Sequence, residues 1–340
     1  MIKPLFKPHS QTTTGLDIGN SSLKVVQLRT LARDEGREIT SFDIKPLASQ
    51  ERAVLVKSIC ASMEEANIAG KYVNISVSGQ AIIVRYLQMP RMTPQELRKA
   101  VLLNIGKYIP FSAAEVNYDV QILGQPDKNE KTMRVLLVAA KKDYIEERVA
   151  ILREAGLEPN IIDVDSFAVV NSFQLLKQAA AGVIAVVDVG ADVTCLTILK
   201  DNVPQFNRDV LIGGSHFSKV IMEEFEVSEA QAEELKHNPQ DRYGDLINAL
   251  RPTFDRLCSE IHLSFNYCEG QLGEPVSKMY LTGGTAKFKG IDKVLNSILG
   301  IDIEIWDPTR ALKIGSTVDK ERLTHVGPLL TVAVGLALRE

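Results

Sequence analysis

The feature that most constrains the fold is a strand, acid and glycine-turn pattern that occurs twice in the chain. The first copy, at residues 15–25, reads Gly-Leu-Asp-Ile-Gly-Asn-Ser-Ser-Leu-Lys-Val and leads into a β-rich run at residues 23–28. The second, at residues 186–194, reads Val-Val-Asp-Val-Gly-Ala-Asp-Val-Thr and leads into a strand-like run at residues 195–199. Each copy predicts a hairpin whose glycine turn aims backbone N–H groups at an anion. Two copies separated by roughly half the chain indicate a duplicated domain.

A third glycine turn completes the pattern. Within residues 279–291 a strand ends in Gly283-Gly284-Thr285, and a helix follows. Taken singly, each of the three segments is also compatible with an ordinary turn. Taken together, in this order and at domain-scale spacing, they predict a nucleotide held between two domains with its phosphates against the two hairpins.

Length and composition agree with two domains in one globular, soluble chain. The chain has 340 residues, which is too long for one compact core. Hydrophobic residues make up 45% and charged residues 24%. The net charge of −4 creates no field that would attract nucleic acid, so no nucleic-acid partner is expected. The four cysteines show no Cys-x-x-Cys spacing, which favours reduced, buried thiols over a metal or redox site.

The apolar segments do not predict a membrane span. The longest, at residues 179–187 and 327–338, fall short of the roughly 20 residues that a bilayer requires. Pro4 and Pro8 interrupt the N-terminus, so no signal peptide is expected. Residues 1–10 mix apolar and basic side chains. We expect a frayed end there, with a weak membrane-surface or partner contact as the alternative.

An insert of different character follows the first domain's strands. Thr93, Pro94 and Glu96 predict a helix start with a capping box, and the helix should run to about Tyr108, before Pro110. A strand at 116–123, a polar turn at 124–132, a strand at 133–140 and a helix at 142–155 follow. The predicted unit is therefore helix-strand-strand-helix.

Two short segments in the second half predict ligand contacts. Gly213-Gly214-Ser215-His216 opens a helix, and free N–H groups at a helix start can bind an anion. His216 is expected to be a surface or capping residue. Glu233 and Lys236 lie one helical turn apart, which by itself predicts only a solvated helix face with an ion pair.

The three glycine turns resemble phosphate loop one, phosphate loop two and the adenosine loop of the actin, Hsp70 and sugar-kinase superfamily. Within it, the insert closely resembles the PilM family of type IV pilus assembly, on Met89-Pro90-x-Met92-Thr93-x3-Leu97, the run Tyr-Ile-Pro-Phe at 108–111 and a Tyr-Asp strand at 118–119. One departure stands out, because the first insert helix of that family usually carries an acidic, tryptophan-containing stretch, whereas residues 101–106 here are Val-Leu-Leu-Asn-Ile-Gly. The departure leaves the fold unchanged and puts the fine partner preference in doubt.

The resemblance implies an α/β, actin-like duplicated domain. Two ribonuclease H-like halves would surround a nucleotide cleft, with an FtsA/PilM-type helix-strand-strand-helix insert. The implied divisions are an N-terminal extension (1–11), a domain 1 core (12–90), the inserted subdomain (91–156), a connecting-helix region (157–180), domain 2 (181–326) and a C-terminal connecting helix (327–340).

The same resemblance implies ATP and Mg²⁺ as cofactors. Asp17 and Asp188 would face each other and hold Mg²⁺ largely through water, while Lys24 would contact the β-phosphate. The full set of implied nucleotide contacts is Asp17, Gly19, Asn20, Ser21, Ser22, Lys24, Asp188, Gly190, Ala191, Asp192, Thr194, Gly213, Gly214, Glu233, Lys236, Gly283, Gly284, Thr285 and Lys287.

Asp165 is the candidate catalytic residue. It lies near the position at which active relatives hold a carboxylate that places the attacking water, and its short side chain would place that water badly. Slow hydrolysis at best is expected. The alternative, which can coexist with the first, is that Asp165 is the N-cap of the helix that follows.

By resemblance, the partner is the short cytoplasmic tail of a PilN-type inner-membrane protein, and the chain would act at the cytoplasmic face of the inner membrane and link that protein to the pilus motor. The tail would lie in a groove formed by the insert, at Leu97, Val101, Tyr108, Ile109, Phe111 and Val120. The alternatives are an FtsA-like filament-forming division protein, a related secretion-system component and, with least support, a small-molecule kinase. Other pilus inner-membrane components and self-association into a homo-oligomer stay open.

Overall fold

The computed structural model describes residues 12–31, 36–123, 131–176 and 182–340. The predicted extension at 1–11 and most of the polar turn at 124–132 lie outside these ranges. The strands are β1 (Thr12–Ile18), β2 (Ser22–Thr30), β3 (Arg37–Pro46), β4 (Tyr72–Val77), β5 (Ile82–Pro90), β6 (Val116–Leu123), β7 (Thr132–Lys141), β8 (Glu158–Val164), β9 (Val183–Val189), β10 (Thr194–Lys200), β11 (Val203–Val210), β12 (Lys278–Thr282), β13 (Asp302–Ile305) and β14 (Lys313–Ile314).

The helices fall between and around these strands. They are α1 (Arg52–Glu65), α2 (Pro94–Tyr108), α3 (Lys142–Glu154), α4 (Asp165–Phe173), α5 (Gly214–Phe225), α6 (Glu229–His237), α7 (Tyr243–Leu272), α8 (Ile291–Leu299), α9 (Lys320–Val326) and α10 (Thr331–Ala337). The α2 start has the predicted capping box between Thr93 and Glu96.

Two sheets repeat one plan. The first has the order β14-β3-β2-β1-β4-β8, and the second has the order β11-β10-β9-β12-β13. In each, a central strand pairs antiparallel with the hairpin strand that follows it and parallel with a later strand on its other side. The duplication expected from the two acid-glycine hairpins is therefore present. Equivalent strand ends, at β1 and β9, carry the two turns.

Two helices join the sheets at very close range. A Cβ added at Gly335 of α10 would lie 1.8 Å from the carbonyl oxygen of Ala168 in α4. A Cβ added at Gly15 of β1 would lie 2.1 Å from the carbonyl oxygen of Ala333. Because backbone touches backbone here, only glycine fits. The C-terminal helix begins at Thr331 rather than Gly327, since residues 327–330 form a 3-10 turn.

Strand pairing and helix packing favour other bounds for the inserted unit than the predicted 91–156. The small third sheet has the order β5-β7-β6, so β5, expected in the domain 1 core, pairs along its length with β7. Helix α3, expected in the insert, instead contributes Ile151 and Leu152 to the core beside β1 and α1. We therefore propose that the inserted unit spans residues 82–141.

The close helix contact makes a stability prediction. Replacing Gly335 with Ala should lower the free energy of unfolding by at least about 2 kcal/mol, because the new methyl group collides with backbone that has no room to move. The matched control is Gly106→Ala in α2, where nothing lies within 4 Å of the added Cβ. That variant should be unchanged or up to about 1 kcal/mol more stable. Urea denaturation checks both, and equal stabilities would contradict the prediction.

Candidate functional site

The first turn is built around a buried ion pair. The β1–β2 register places Asp17 opposite Lys24, and Lys24 Nζ lies 3.0 Å from Asp17 Oδ2. Their side chains are only 14% and 9% exposed. Burial disfavours the charged lysine, but the carboxyl groups of Asp17, Asp188 and Asp165 together outweigh burial, so the pKa of Lys24 is raised. The ammonium is therefore held charged beside the first turn.

Gly19 lies in close contact with both Lys24 and the backbone of the turn. Its N–H donates to the carbonyl of Ser22 at 3.1 Å, which closes the turn with Asn20 and Ser21 at its tip. A Cβ at Gly19 would lie 2.8 Å from Lys24 Nζ. A larger residue would therefore push the ammonium away from the turn.

The second and third turns pack against each other. Asp188, near the end of β9, is the register partner of Thr282 in β12. Gly283 follows with a φ of 91°, and a Cβ there would lie 2.1 Å from Asp188 Oδ1. Thr285 donates its hydroxyl to the carbonyl of Gly190 at 3.0 Å. The structure thus brings together two of the three turns that the sequence singled out.

Three carboxyl groups surround the single ammonium of Lys24. The pKa of Asp188 is raised to about 7, because burial outweighs the opposing charge of Lys24, and the charges of Asp17 and Asp165 add to the rise. Burial and then Asp17 raise the pKa of Asp165 to about 6, against the hydroxyls of Ser76 and Ser78. A divalent cation would replace the protons and relieve this repulsion. Carboxylate oxygens are ligands that suit Mg²⁺, which keeps several of its waters.

Asp165 is the first residue of α4, directly after β8. Val164 occupies the N-cap, so the expectation that Asp165 caps the helix was off by one residue. An acid in the first turn still interacts favourably with the helix dipole. The carboxyl group interacts electrostatically with Asp17 and Lys24.

The start of α5 does not offer free N–H groups. Gly214 donates to the carbonyl of Gly190 at 2.9 Å, and Ser215 donates to that of Ala191 at 2.7 Å. Gly213 donates to Nδ1 of His216 at 3.2 Å, so His216 is a capping residue as expected. We expected free N–H groups that could bind an anion at this helix start. The N–H groups of Gly214 and Ser215 are instead already bonded to the second turn, which they hold in place.

Lys236 ties α6 to this region. The residue is 5% exposed, and its Nζ lies 2.7 Å from Glu233 Oε1, 2.8 Å from Ser218 Oγ and 3.3 Å from the carbonyl of Gly214. An ammonium has three donors, and all three are used. The solvated-face alternative is therefore wrong for Lys236, although the ion pair with Glu233 exists. Lys287 lies nearby, and burial lowers its pKa.

Several polar residues link the first two turns across the cleft. Asn20 Nδ2 donates to Asp192 Oδ2 at 2.9 Å, and Ser215 donates its hydroxyl to Asp192 Oδ1 at 2.5 Å. Thr194 instead donates to the carbonyl of Ile212 at 2.6 Å, which makes it a support of the second turn. Gln50, which the sequence did not single out, donates to the carbonyls of Gly19 and Asn20. No local motif marks Gln50, because it lies in a loop far from the glycine pattern.

The predicted partner residues do not form one surface. Leu97, Val101, Ile109 and Val120 are between 0% and 8% exposed and build the core between α2 and the small sheet. These four side chains are therefore covered by the packing of α2 and its connecting loop against the small sheet, and they form no exposed surface. Tyr108 and Phe111 pack at the margin of that core. The exposed apolar residues of α2 are Leu102, at 46%, and Leu103, at 83%.

One family profile matches nearly the whole chain. The sequence profile of the family described as type IV pilus assembly protein PilM matches residues 15–340. The chain belongs to the PilM family. The match runs through all three glycine turns and the insert, and it confirms the family expected from residues 89–119.

Solved structures agree on the fold. A chain of the PilM–PilN type IV pilus biogenesis complex superimposes with a TM-score of 0.85 and 29% sequence identity, covering 98% of this chain and 99% of that one. MreB5 of Spiroplasma citri bound to ADP gives a TM-score of 0.50 at 13% identity, over 96% and 95% of the two chains. The cell division protein FtsA of Streptococcus pneumoniae is 22% identical over 87% of this chain and 76% of its own length. The predicted actin-like fold is confirmed.

Within the four described ranges, no helix combines the length and apolar character that crossing a bilayer demands.

The raised pKa of Asp188 makes a pH prediction. Its folded pKa of about 7 exceeds the ordinary value of 3.8, so its contribution to stability is full below that ordinary value and is lost as pH rises through about 7. Asp188→Asn should therefore become more stable relative to the wild type as pH rises from 5 to 8. Thermal denaturation across that range checks it. The exposed Asp241→Asn serves as the control and should show a flat difference; a flat difference for Asp188→Asn would refute the assignment.

Proposed function

We propose that this chain is an ATP-binding adaptor of type IV pilus assembly that binds the cytoplasmic tail of a PilN-type inner-membrane protein. The observation that carries the nucleotide half is the buried Lys24–Asp17 pair lying with Asp188 and Asp165 where the glycine turns meet. The family match and the likeness to a chain of the PilM–PilN complex support the partner half. Action at the cytoplasmic face of the inner membrane, and a link to the pilus motor, complete the proposal.

The nucleotide would lie between the two sheets. Lys24 would contact the β-phosphate, and Asp17 and Asp188 would hold Mg²⁺ mostly through water. Residues Gly283, Gly284 and Thr285 would leave space for the adenine ring. Glu233 and Lys287 would lie beside the ribose, with Lys236 acting through Glu233 because its own donors are already used. The bound ADP of the MreB5 structure supports nucleotide binding by this fold.

Hydrolysis is proposed to be slow. Asp165, with its pKa raised to about 6, would be the residue that orients water. Its side chain is short, and a misplacement of about 1 Å can cost on the order of 100-fold in rate. The nucleotide would then act mainly through conformation. ATP would favour a closed state because both halves contact its phosphates, and ADP a looser one.

Loss of the Lys24 charge should weaken nucleotide binding. Lys24→Ala should reduce the affinity for Mg²⁺-ATP by roughly tenfold to a hundredfold, since hydrogen bonds to charged groups contribute about 1.5–3 kcal/mol. Calorimetric titration measures the affinity, with the exposed Lys289→Ala as a matched control that should bind as the wild type does. Trp306, the single tryptophan, is buried beside α4 and reports correct folding by its fluorescence. A folded Lys24→Ala chain with unchanged affinity would reject the proposed role.

The partner would bind the exterior of the insert rather than its core. Leu102 and Leu103 present apolar side chains to solvent on α2. This stretch falls where the family resemblance is broken, at residues 101–106, so it is also where the partner preference of this chain would be set.

An exposed leucine tests this surface without disturbing the fold. Leu103→Ser should weaken binding of a synthetic PilN-type tail by about fivefold or more, because a buried leucine contributes about 1.5–3 kcal/mol relative to an exposed one. Leu263→Ser in α7, where the leucine is 58% exposed, is the matched control and should bind normally. Calorimetry with and without Mg²⁺-ATP gives both affinities. Identical affinities for wild type and Leu103→Ser would place the tail elsewhere.

The FtsA relative favours a second candidate, a filament-forming protein of the division or cytoskeletal kind. Sedimentation and electron microscopy with Mg²⁺-ATP and lipid vesicles test it. Ordered filaments in the absence of any tail-binding activity would favour this candidate over the adaptor.

A further inference from the structure

Gln50 makes an unusual pair of contacts with the first glycine turn. It lies in the loop between β3 and α1, with its side chain at the surface. Its Nε2 donates to the carbonyl oxygen of Gly19 at 3.1 Å and to that of Asn20 at 2.9 Å. An amide nitrogen has two donors, and both are used on consecutive carbonyl groups of the turn.

The two contacts fix the direction of the neighbouring N–H groups, because a peptide group is planar. In a trans peptide the C=O and N–H groups point in opposite directions, and the described residues contain no cis peptide. Because Gln50 draws the oxygens of Gly19 and Asn20 toward itself, the N–H groups of Asn20 and Ser21 point away from it. Two successive N–H groups aimed to one side form a concave anion site.

These two N–H groups are free within the described part of the chain. The Gly19 N–H closes the turn onto Ser22, but those of Asn20 and Ser21 donate to no acceptor among the described residues. The second turn is different, because the carbonyls of Gly190 and Ala191 are held by the N–H groups of Gly214 and Ser215. The first turn has a single side chain in that position.

The side chain of Asn20 extends the effect across the cleft. It donates to Asp192 Oδ2, and the other oxygen of Asp192 accepts from Ser215. Both oxygens of Asp192 are thus bonded, and the carboxylate joins the two turns. The residue whose carbonyl group Gln50 holds therefore also supplies a contact between the two halves.

We propose that Gln50 is a positioning residue for phosphate binding. Its amide fixes the first turn so that the N–H groups of Asn20 and Ser21 are presented together to the phosphates of a nucleoside triphosphate. Fixing the turn before binding lowers the entropy cost of ordering it afterwards. The inference rests on the proposed nucleotide binding and adds a residue outside every glycine turn to that site.

Two substitutions of Gln50 distinguish the loss of its hydrogen-bond donors from the effect of an added negative charge. Gln50→Ala removes both donors without adding charge, and the freed carbonyls turn to water. Gln50→Glu keeps the shape but replaces the donor nitrogen with an acceptor oxygen, which repels the two carbonyls. The exposed Gln121→Glu in β6 adds the same charge far along the chain in the inserted unit and is the matched control.

Calorimetric titration of Mg²⁺-ATP and, separately, adenosine tests the proposal. Gln50→Ala should weaken ATP binding by about threefold to tenfold, as expected for neutral hydrogen bonds, and Gln50→Glu should weaken it more. Adenosine lacks phosphates, so its affinity should not change. Gln121→Glu should bind both ligands as the wild type does.

Each contrary result is distinct. A wild-type chain that binds ATP while Gln50→Ala binds it equally well overturns the inference alone, as does a loss seen only with Gln50→Glu, which would be simple charge repulsion. Equal losses of ATP and adenosine affinity overturn it as well, because they indicate general damage. A wild type that binds neither ligand overturns the proposed function together with the inference.

Discussion

The ion pair between Lys24 and Asp17 is the interaction on which the cleft depends. One ammonium lies among three carboxyl groups, and the pKa values of Asp188 and Asp165 rise to about 7 and 6 because burial and mutual repulsion disfavour their charges. These acids follow or end strands of two different sheets, and the duplicated strand order brings those ends together. The proposed Mg²⁺-ATP would supply a cation that relieves this repulsion.

The first and second glycine turns are supported in different ways. The second is held by backbone bonds from Gly214 and Ser215, and by the packing of Gly283 against Asp188. The first depends on the side chain of Gln50 and on the hydrogen bond from Asn20 to Asp192. The backbone bonds of the second turn thus come from a helix start, whereas the carbonyl groups of Gly19 and Asn20 in the first turn are held by one side chain.

The inserted unit has a core of its own, and it also contacts the second half of the molecule. Leu97 and Val101 sit at helical spacing and were predicted to meet a partner, yet the small sheet covers them. The same unit also reaches the second half of the molecule, because Arg134 of β7 donates to the side chain of Gln205 in β11 and lies 3.4 Å from its carbonyl oxygen. A partner on the outside of α2 would thus bind a unit that contacts both halves.

The sequence by itself determined the family, the duplicated plan and the glycine turns. Strand periodicity, an acid before a glycine and a capping box are local patterns, and they can be recognised without knowing how the elements pack. It could not decide which side of α2 faces solvent, that β5 pairs with β7, or that the donors of Gly213, Gly214 and Lys236 are already used. Gln50 was also beyond it, since no local pattern marks a side chain that acts on a turn 30 residues away. Those features depend on which groups meet across sheets and loops, and only the tertiary structure decides that.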